Sequence, residues 1–173
     1  MTVLITGGSK CGKSSLAEKL LETCTKNKYY IATMKPYGGE ALEAIERHRR
    51  LRAGKGFETL EKYTGLYELR LPEGCFVLLE CMANLCANEM FTQSGFTDPT
   101  DNIMRGIGYL KSRAERLVIV TNSVGSDGVS YSPGTNAYIK ALGELNALTA
   151  EISDTVIECV YGIPVILKGR LDI

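Results

Sequence analysis

The most constraining feature of this chain is an octapeptide close to its start. Gly7-Gly8-Ser9-Lys10-Cys11-Gly12-Lys13-Ser14 fits G-x-x-x-x-G-K-[ST] in full. It follows a strand-like run, Thr2-Val3-Leu4-Ile5-Thr6, and opens into Ser15-Leu16-Ala17-Glu18-Lys19-Leu20, which suits a helix. Strand, glycine-rich turn and helix in that order make a phosphate cradle. The glycines let the backbone approach phosphate oxygens closely, and free N–H groups at the helix start donate to them. Lys13 is expected at the β- and γ-phosphates, and the Ser14 hydroxyl at Mg²⁺. The ligand class this motif implies is a nucleoside triphosphate.

The rest of the chain has the pattern such a loop needs around it. Short apolar runs occur at Thr2–Thr6, Tyr29–Thr33, Phe76–Glu80, Leu117–Thr121, Thr155–Val160 and Val165–Leu167. Near-continuous Val, Ile and Leu over four to six residues suit strands buried on both faces of a parallel sheet. Helix-like stretches alternate with them: Ser14–Thr25, Glu40–Arg52, Met82–Phe91, Asn102–Arg116 and Asn136–Ile152. Alternation of this kind implies βαβ units with right-handed crossovers. Gly162-Ile163-Pro164 between two apolar runs reads as a terminal hairpin. The expectation is an α/β fold of the phosphate-loop NTPase type: an open, mostly parallel sheet with flanking helices and a C-terminal β-hairpin. No repeat or linker interrupts the 173 residues, so one domain is expected over 1–173.

Composition narrows the partners. Twenty basic and twenty acidic side chains balance to zero, which argues against a chain-wide basic face for nucleic acid. No apolar run approaches membrane-spanning length, and Met1-Thr2-Val3 leads straight into the motif without an export signal, so a cytoplasmic protein with no membrane partner is expected. Cys11, Cys24, Cys75, Cys81, Cys86 and Cys159 lack C-x-x-C spacing, and free thiols are the expected state.

Two further residues draw attention. Glu80 closes the apolar run Phe76-Val77-Leu78-Leu79, where a carboxylate would face the ligand crevice and serve Mg²⁺. The alternative is an acid that merely caps the helix after it. His48, the single histidine, sits in Glu40–Arg52 on one stripe with Ala41, Ala44, Ile45 and Arg52. Spacing alone leaves two readings open. One is a half-buried histidine on a solvated helix. The other is a nucleophile for an α-phosphate, with Arg47, Arg49, Arg50 and Arg52 balancing polyphosphate charge.

Several blocks in order along almost the whole chain carry a resemblance. They are the phosphate loop, Tyr30-Ile31-Ala32-Thr33, His48 followed by Arg52, Leu78-Leu79-Glu80-Cys81-Met82 with Asn88, Val120-Thr121-Asn122, Gly143 with Asn146, and Gly162-Ile163-Pro164 with Lys168. In these the chain resembles the bifunctional adenosylcobinamide kinase/adenosylcobinamide-phosphate guanylyltransferase family. The resemblance implies phosphorylation of the aminopropanol hydroxyl of adenosylcobinamide by ATP or GTP. Transfer of GMP from GTP to that phosphate then follows, through a GMP–histidine intermediate at His48, with release of pyrophosphate. It implies catalytic roles for His48 and Lys13. Nucleotide contacts are implied from Gly7, Gly8, Ser9, Lys10, Cys11, Gly12, Lys13, Ser14, Thr33, Met34, Arg49, Arg50, Leu51, Arg52, Glu61 and Glu80. Mg²⁺ would sit at Ser14 and Glu80, and the assembly would be a homotrimer with a corrinoid as its small-molecule partner. Ala44, Ser123 and Tyr138–Leu142 stand where the family carries charged residues. Without a nucleophilic histidine, the same loop would serve another small kinase or a non-catalytic nucleotide binder.

Overall fold

The computed structural model describes residues 1–92, 95–125 and 128–171, and of Glu40 and Leu51 only the backbone. Its centre is a seven-stranded sheet. The strands are β1 (Thr2–Thr6), β2 (Lys28–Ala32), β3 (Phe57–Glu61), β4 (Cys75–Glu80), β7 (Ala114–Val120), β8 (Thr155–Val160) and β9 (Ile163–Lys168). They lie in the order β3-β2-β4-β7-β1-β8-β9. All neighbours are parallel except the last pair, the antiparallel β8–β9 hairpin. A small separate hairpin joins β5 (Phe91–Thr92) to β6 (Gly95–Phe96). The helices are α1 (Lys13–Lys19), α2 (Gly38–Arg52), α3 (Met82–Met90), α4 (Thr100–Arg113) and α5 (Pro133–Ile152).

The apolar runs become strands because both of their faces are covered. Val77, Leu78 and Leu79 of β4 and Leu117, Val118 and Ile119 of β7 are all fully buried. Truncating one such Leu to Ala costs about 2–5 kcal/mol. Helices α3, α4 and α5 contribute Met82, Leu85, Ile103, Ile107, Leu142 and Leu145 to the same core. Ser132 begins α5 as its N-cap, its hydroxyl accepting from the Thr135 N–H at 3.3 Å.

The structure differs from the sequence reading at several points. Strand β3 is absent from it, because Phe57-Glu58-Thr59-Leu60-Glu61 is an edge strand with no fully buried residue and shows no continuous apolar run. The helix expected over Asn102–Arg116 stops at Arg113, since Ala114 and Arg116 pair with Cys75 and Phe76 of β4. Helix α1 ends at Lys19 rather than Thr25, its last turn tightening through the Leu21 N–H to the Glu18 carbonyl. Thr33 lies just past β2, its N–H donating to the Glu80 carbonyl.

Candidate active site

All the parallel strands point their carboxyl ends at one edge of the sheet, and the phosphate loop lies there between β1 and α1. The loop is held tightly on one side. Gly7 has φ 139° and Gly12 has φ 102°, both in the region that disfavours side chains. A Cβ at Gly7 would sit 2.6 Å from the Cys159 carbonyl oxygen of β8, and one at Gly12 would sit 3.2 Å from Gly162 Cα in the β8–β9 turn. The Gly162 N–H donates to the Cys11 carbonyl at 2.7 Å. These contacts press the loop against the terminal hairpin, with its other side facing a cavity.

Lys13 is buried, and its ammonium donates to the carbonyls of Gly7 at 3.0 Å and Gly8 at 2.5 Å. It thereby holds its charge inside the curve of the loop, where phosphate oxygens would compete for it. Ser14 Oγ donates to Glu80 Oε1 at 2.7 Å. The other carboxylate oxygen, Glu80 Oε2, is sealed from solvent with no hydrogen-bond partner. Burial pushes the Glu80 carboxyl up to about 7, partly offset by the Ser14 hydrogen bond and by Lys13 and Arg52. A hydroxyl beside a carboxylate with one unused oxygen is a hard-oxygen donor set that fits Mg²⁺, with phosphate oxygens and water completing its shell.

The cavity beside the loop measures about 580 Å³. Residues 9–15 form one wall, Arg47 and His48 of α2 another, and Glu80, Asn84 and Asn122 close it behind. His48 therefore shares one cavity with the phosphate loop. A second, smaller space of about 60 Å³ lies beneath it, between α2 and the sheet, bounded by Tyr30, Met34, Ile45 and Arg52. Arg52 is buried with its guanidinium carbon 3.5 Å from the centre of the Tyr30 ring, and its Nε and Nη1 have no hydrogen-bond partner. His48 Nδ1 is likewise buried and unpartnered. Burial lowers the His48 pKa, and the positive charges of Arg47 and Arg52 lower it further. Both effects favour the neutral ring, which carries a nitrogen lone pair.

The structure brings together Ser9, Lys10, Cys11, Gly12, Lys13, Ser14, Met34, His48 and Glu80 around the larger cavity, with Arg52 in the space below. It does not bring in Arg49, Arg50 or Glu61. Arg49 and Glu61 pair with one another at 2.8 Å on the outer side of α2, and Tyr63 donates to Glu61 at 2.9 Å. Arg50 lines a separate surface groove with Leu42, Glu43 and Glu46. The Leu51 side chain lies outside the described residues. Thr33 is buried and ties two backbones, its hydroxyl donating to the Cys81 carbonyl at 2.8 Å and accepting from the Cys81 N–H at 2.8 Å. Asn84, on the first turn of α3, was not read from the sequence, because nothing in Met82-Ala83-Asn84-Leu85 separates a site asparagine from a solvated one. Its position one turn after a strand-end carboxylate is the only signal. Among the described residues, no group of three or more His, Cys, Asp and Glu side chains could hold a metal. All six cysteines are free thiols, and no helix among the described residues is long and apolar enough to cross a membrane.

A glycine-rich loop after the first strand, with its lysine, serine and a facing strand-end carboxylate on an open parallel sheet, defines a phosphate-loop NTPase-like protein. A solved structure from Pyrococcus horikoshii OT3 shares this fold, with a TM-score of 0.57 and 13% identity over 99% of this chain and 87% of that one. Over residues 3–167 the chain matches the cobinamide kinase / cobinamide phosphate guanyltransferase family, and it belongs to that family of enzymes. It is 30% identical to the bifunctional adenosylcobalamin biosynthesis protein CobU of Escherichia coli (strain K12), over 97% of this chain and all of the relative. It is 29% identical to the corresponding CobP of Pseudomonas aeruginosa, over 98% of this chain and 99% of that protein.

Proposed function

We propose that this chain catalyses both reactions named by its family in assembling the nucleotide loop of cobalamin. It phosphorylates adenosylcobinamide with ATP or GTP and then transfers GMP from GTP to the adenosylcobinamide phosphate. The observation that carries this reading is the shared cavity: a half-buried histidine, its Nδ1 without a hydrogen-bond partner, lines the same space as an intact phosphate loop. A plain kinase has no use for such a histidine at that place.

In the first reaction the loop amides and Lys13 hold the triphosphate, and the corrinoid hydroxyl attacks the γ-phosphorus. Positioning and charge neutralisation are the main contributions. Lys13 would exchange its two carbonyl partners for phosphate oxygens as the nucleotide enters. Mg²⁺, held by Ser14 and Glu80, would supply further neutralisation of the phosphates. In the second reaction a His48 nitrogen attacks the α-phosphorus of GTP. A nitrogen–phosphorus bond forms, the bond to the bridging oxygen breaks, and pyrophosphate leaves. An oxygen of the corrinoid phosphate then attacks the same phosphorus and the histidine departs. Dividing the transfer keeps the two phosphate-bearing substrates from having to react directly with each other. Burial, reinforced by the charges of Arg47 and Arg52, favours the unprotonated ring that a nucleophile needs. Met34 meets the guanine nucleotide from the cavity wall and Thr33 acts through the backbones it ties, while Arg49, Arg50, Leu51 and Glu61 join the contacts if α2 shifts towards the bound nucleotide. A homotrimer of one-domain subunits in the cytoplasm completes the proposal.

The test is direct. Purified protein with adenosylcobinamide, GTP and Mg²⁺ is expected to give the phosphorylated corrinoid, then the guanylylated corrinoid and pyrophosphate in equal amounts. Formation of the phosphorylated corrinoid alone, without pyrophosphate, would reduce the proposal to a kinase.

A further inference from the structure

The phosphate loop carries a cysteine, and a second cysteine stands against it. Cys11 is half-exposed on the cavity wall, while Cys159 of β8 is 1% exposed behind the loop. They are 148 positions apart in sequence, yet the Cys159 thiol donates to the Cys11 carbonyl at 3.1 Å. Both flank Gly7: a Cβ there would be 3.0 Å from Cys11 Sγ and 2.6 Å from the Cys159 carbonyl oxygen. The absence of a side chain at Gly7 is therefore what allows the pair to meet. Lys13 Nζ lies 3.8 Å from Cys11 Sγ, so a positive charge stands beside the accessible sulfur. Neither thiol has a part in the reactions described above.

We propose that Cys11 and Cys159 are a site of reversible oxidative modification, and that the disulfide they form closes the phosphate loop to nucleotide. The inference rests on the reading of this loop as the nucleotide site and adds its regulation. The oxidant is a hydroperoxide, of which hydrogen peroxide is the simplest. Cys11, the accessible sulfur, attacks a peroxide oxygen. The O–O bond breaks, the thiol proton passes to the departing oxygen as water, and Cys11 becomes a sulfenic acid. Cys159 sulfur then attacks the Cys11 sulfur, the S–O bond breaks, and the hydroxyl leaves as a second water with the Cys159 proton. Two thiols and one peroxide thus give one disulfide and two waters. Burial raises the pKa of Cys159, which suits it to the resolving role and not to the first attack. The new bond draws the loop towards β8 at the residue before Gly12 and Lys13. The amides and ammonium that would meet the phosphates are displaced from the cavity.

The test uses the full reduced chain exposed to sub-millimolar hydrogen peroxide. Intact mass and a non-reducing peptide map are read alongside a GTP titration in Mg²⁺ buffer. The expected result is the loss of two hydrogen atoms, a linked Cys11–Cys159 peptide, and GTP affinity weakened on the order of tenfold or more, as displacement of a positioning loop predicts. Dithiothreitol should restore both mass and affinity. Cys159→Ser should bind GTP like the native chain when reduced, give no linked peptide, and leave a Cys11 sulfenic acid that dimedone traps. Peroxide-treated native chain without the linked peptide would overturn the proposal, and so would linked protein that binds GTP as tightly as before. If the reduced chain binds no GTP, the nucleotide-site reading and the gate both fall, while the peptide map still decides whether the pair oxidises.

Discussion

The phosphate loop and helix α2 face each other across one cavity, but they are held in opposite ways. The loop is wedged: Gly7 and Gly12 lie against backbone of β8 and its turn, and Lys13 is buried beneath. Helix α2 is perched. None of its described apolar side chains is fully buried; Ala41, Ala44 and Ile45 are half-buried, and Leu42 is exposed. Its anchors are polar: Arg52 on the Tyr30 ring, Arg49 to Glu61, and, just past its end, Lys55 to the buried Glu18. Glycines with φ of 77° and 80° stand at its two ends, Gly38 and Gly54. A rigid cradle suits a ligand group of fixed shape. A loosely anchored helix suits a nucleophile that must meet one phosphorus and then release it to another acceptor.

That contrast can be broken at either side. The largest effect is expected at Lys13. Lys13→Ala should lower phosphorylation of the corrinoid by about 10²–10³-fold, because a charge aimed at the transferring group is lost from a closed site. Steady-state kinetics with GTP would check it, and a loss below tenfold would take Lys13 out of the chemistry. Gly7→Ala comes next. Its methyl must displace the Cys159 carbonyl, so thermal unfolding should show about 2–4 kcal/mol of destabilisation, by strain and overpacking. A near-native melting point would mean that the loop is not wedged.

Glu80→Gln sharpens the comparison through pH. The folded-state pKa of about 7 lies above the ordinary 4.5, so the native state binds the proton more tightly than the unfolded chain. Stability from this group is complete below the ordinary value and is lost as pH rises through about 7. At pH near 8 the nucleotide-free Gln variant should therefore be more stable than the native chain by about 3 kcal/mol, with the gain vanishing near pH 4. Denaturant titrations at both ends of that range would show it, and an equal difference at both would contradict the assignment. The smallest effect is at Arg52. Arg52→Ala removes the stack on Tyr30 and should cost about 1–2 kcal/mol. Hydrogen exchange should then quicken in residues 38–52 while the amides of β1 and β4 keep their protection.

The same contrast explains what could be read in the sequence. The phosphate loop was legible because its chemistry is local: the spacing of Gly7, Gly12, Lys13 and Ser14 already fixes the turn. The central strands were legible because burial on both faces leaves uninterrupted apolar runs. Edge strand β3 was not, since its half-exposed residues mix Glu58 and Glu61 with Phe57 and Leu60. The inward stripe of α2 was visible in its helical spacing, and His48 and Arg52 do face inward. That His48 meets the loop across a cavity depends on where the β2–α2 connection places the helix, which no local pattern encodes. Cys159 behind Cys11 is a meeting of residues 148 positions apart and left no trace in either segment. Asn84 was missed for the same reason, as its place is set by α3 docking behind Glu80.

The measurement closest to the central claim is incubation of the chain with Mg²⁺ and α-labelled GTP, without corrinoid, followed by intact mass and peptide mapping. The account predicts one GMP on the His48 peptide, labile in acid, stable in base and absent from His48→Ala. Its formation should rise with pH through a midpoint below the ordinary histidine value of 6.5 and level off above it, because only the neutral ring attacks. Bound GTP with no adduct on His48 at any pH would contradict the account and leave a phosphate-loop kinase or a nucleotide-binding relative in its place.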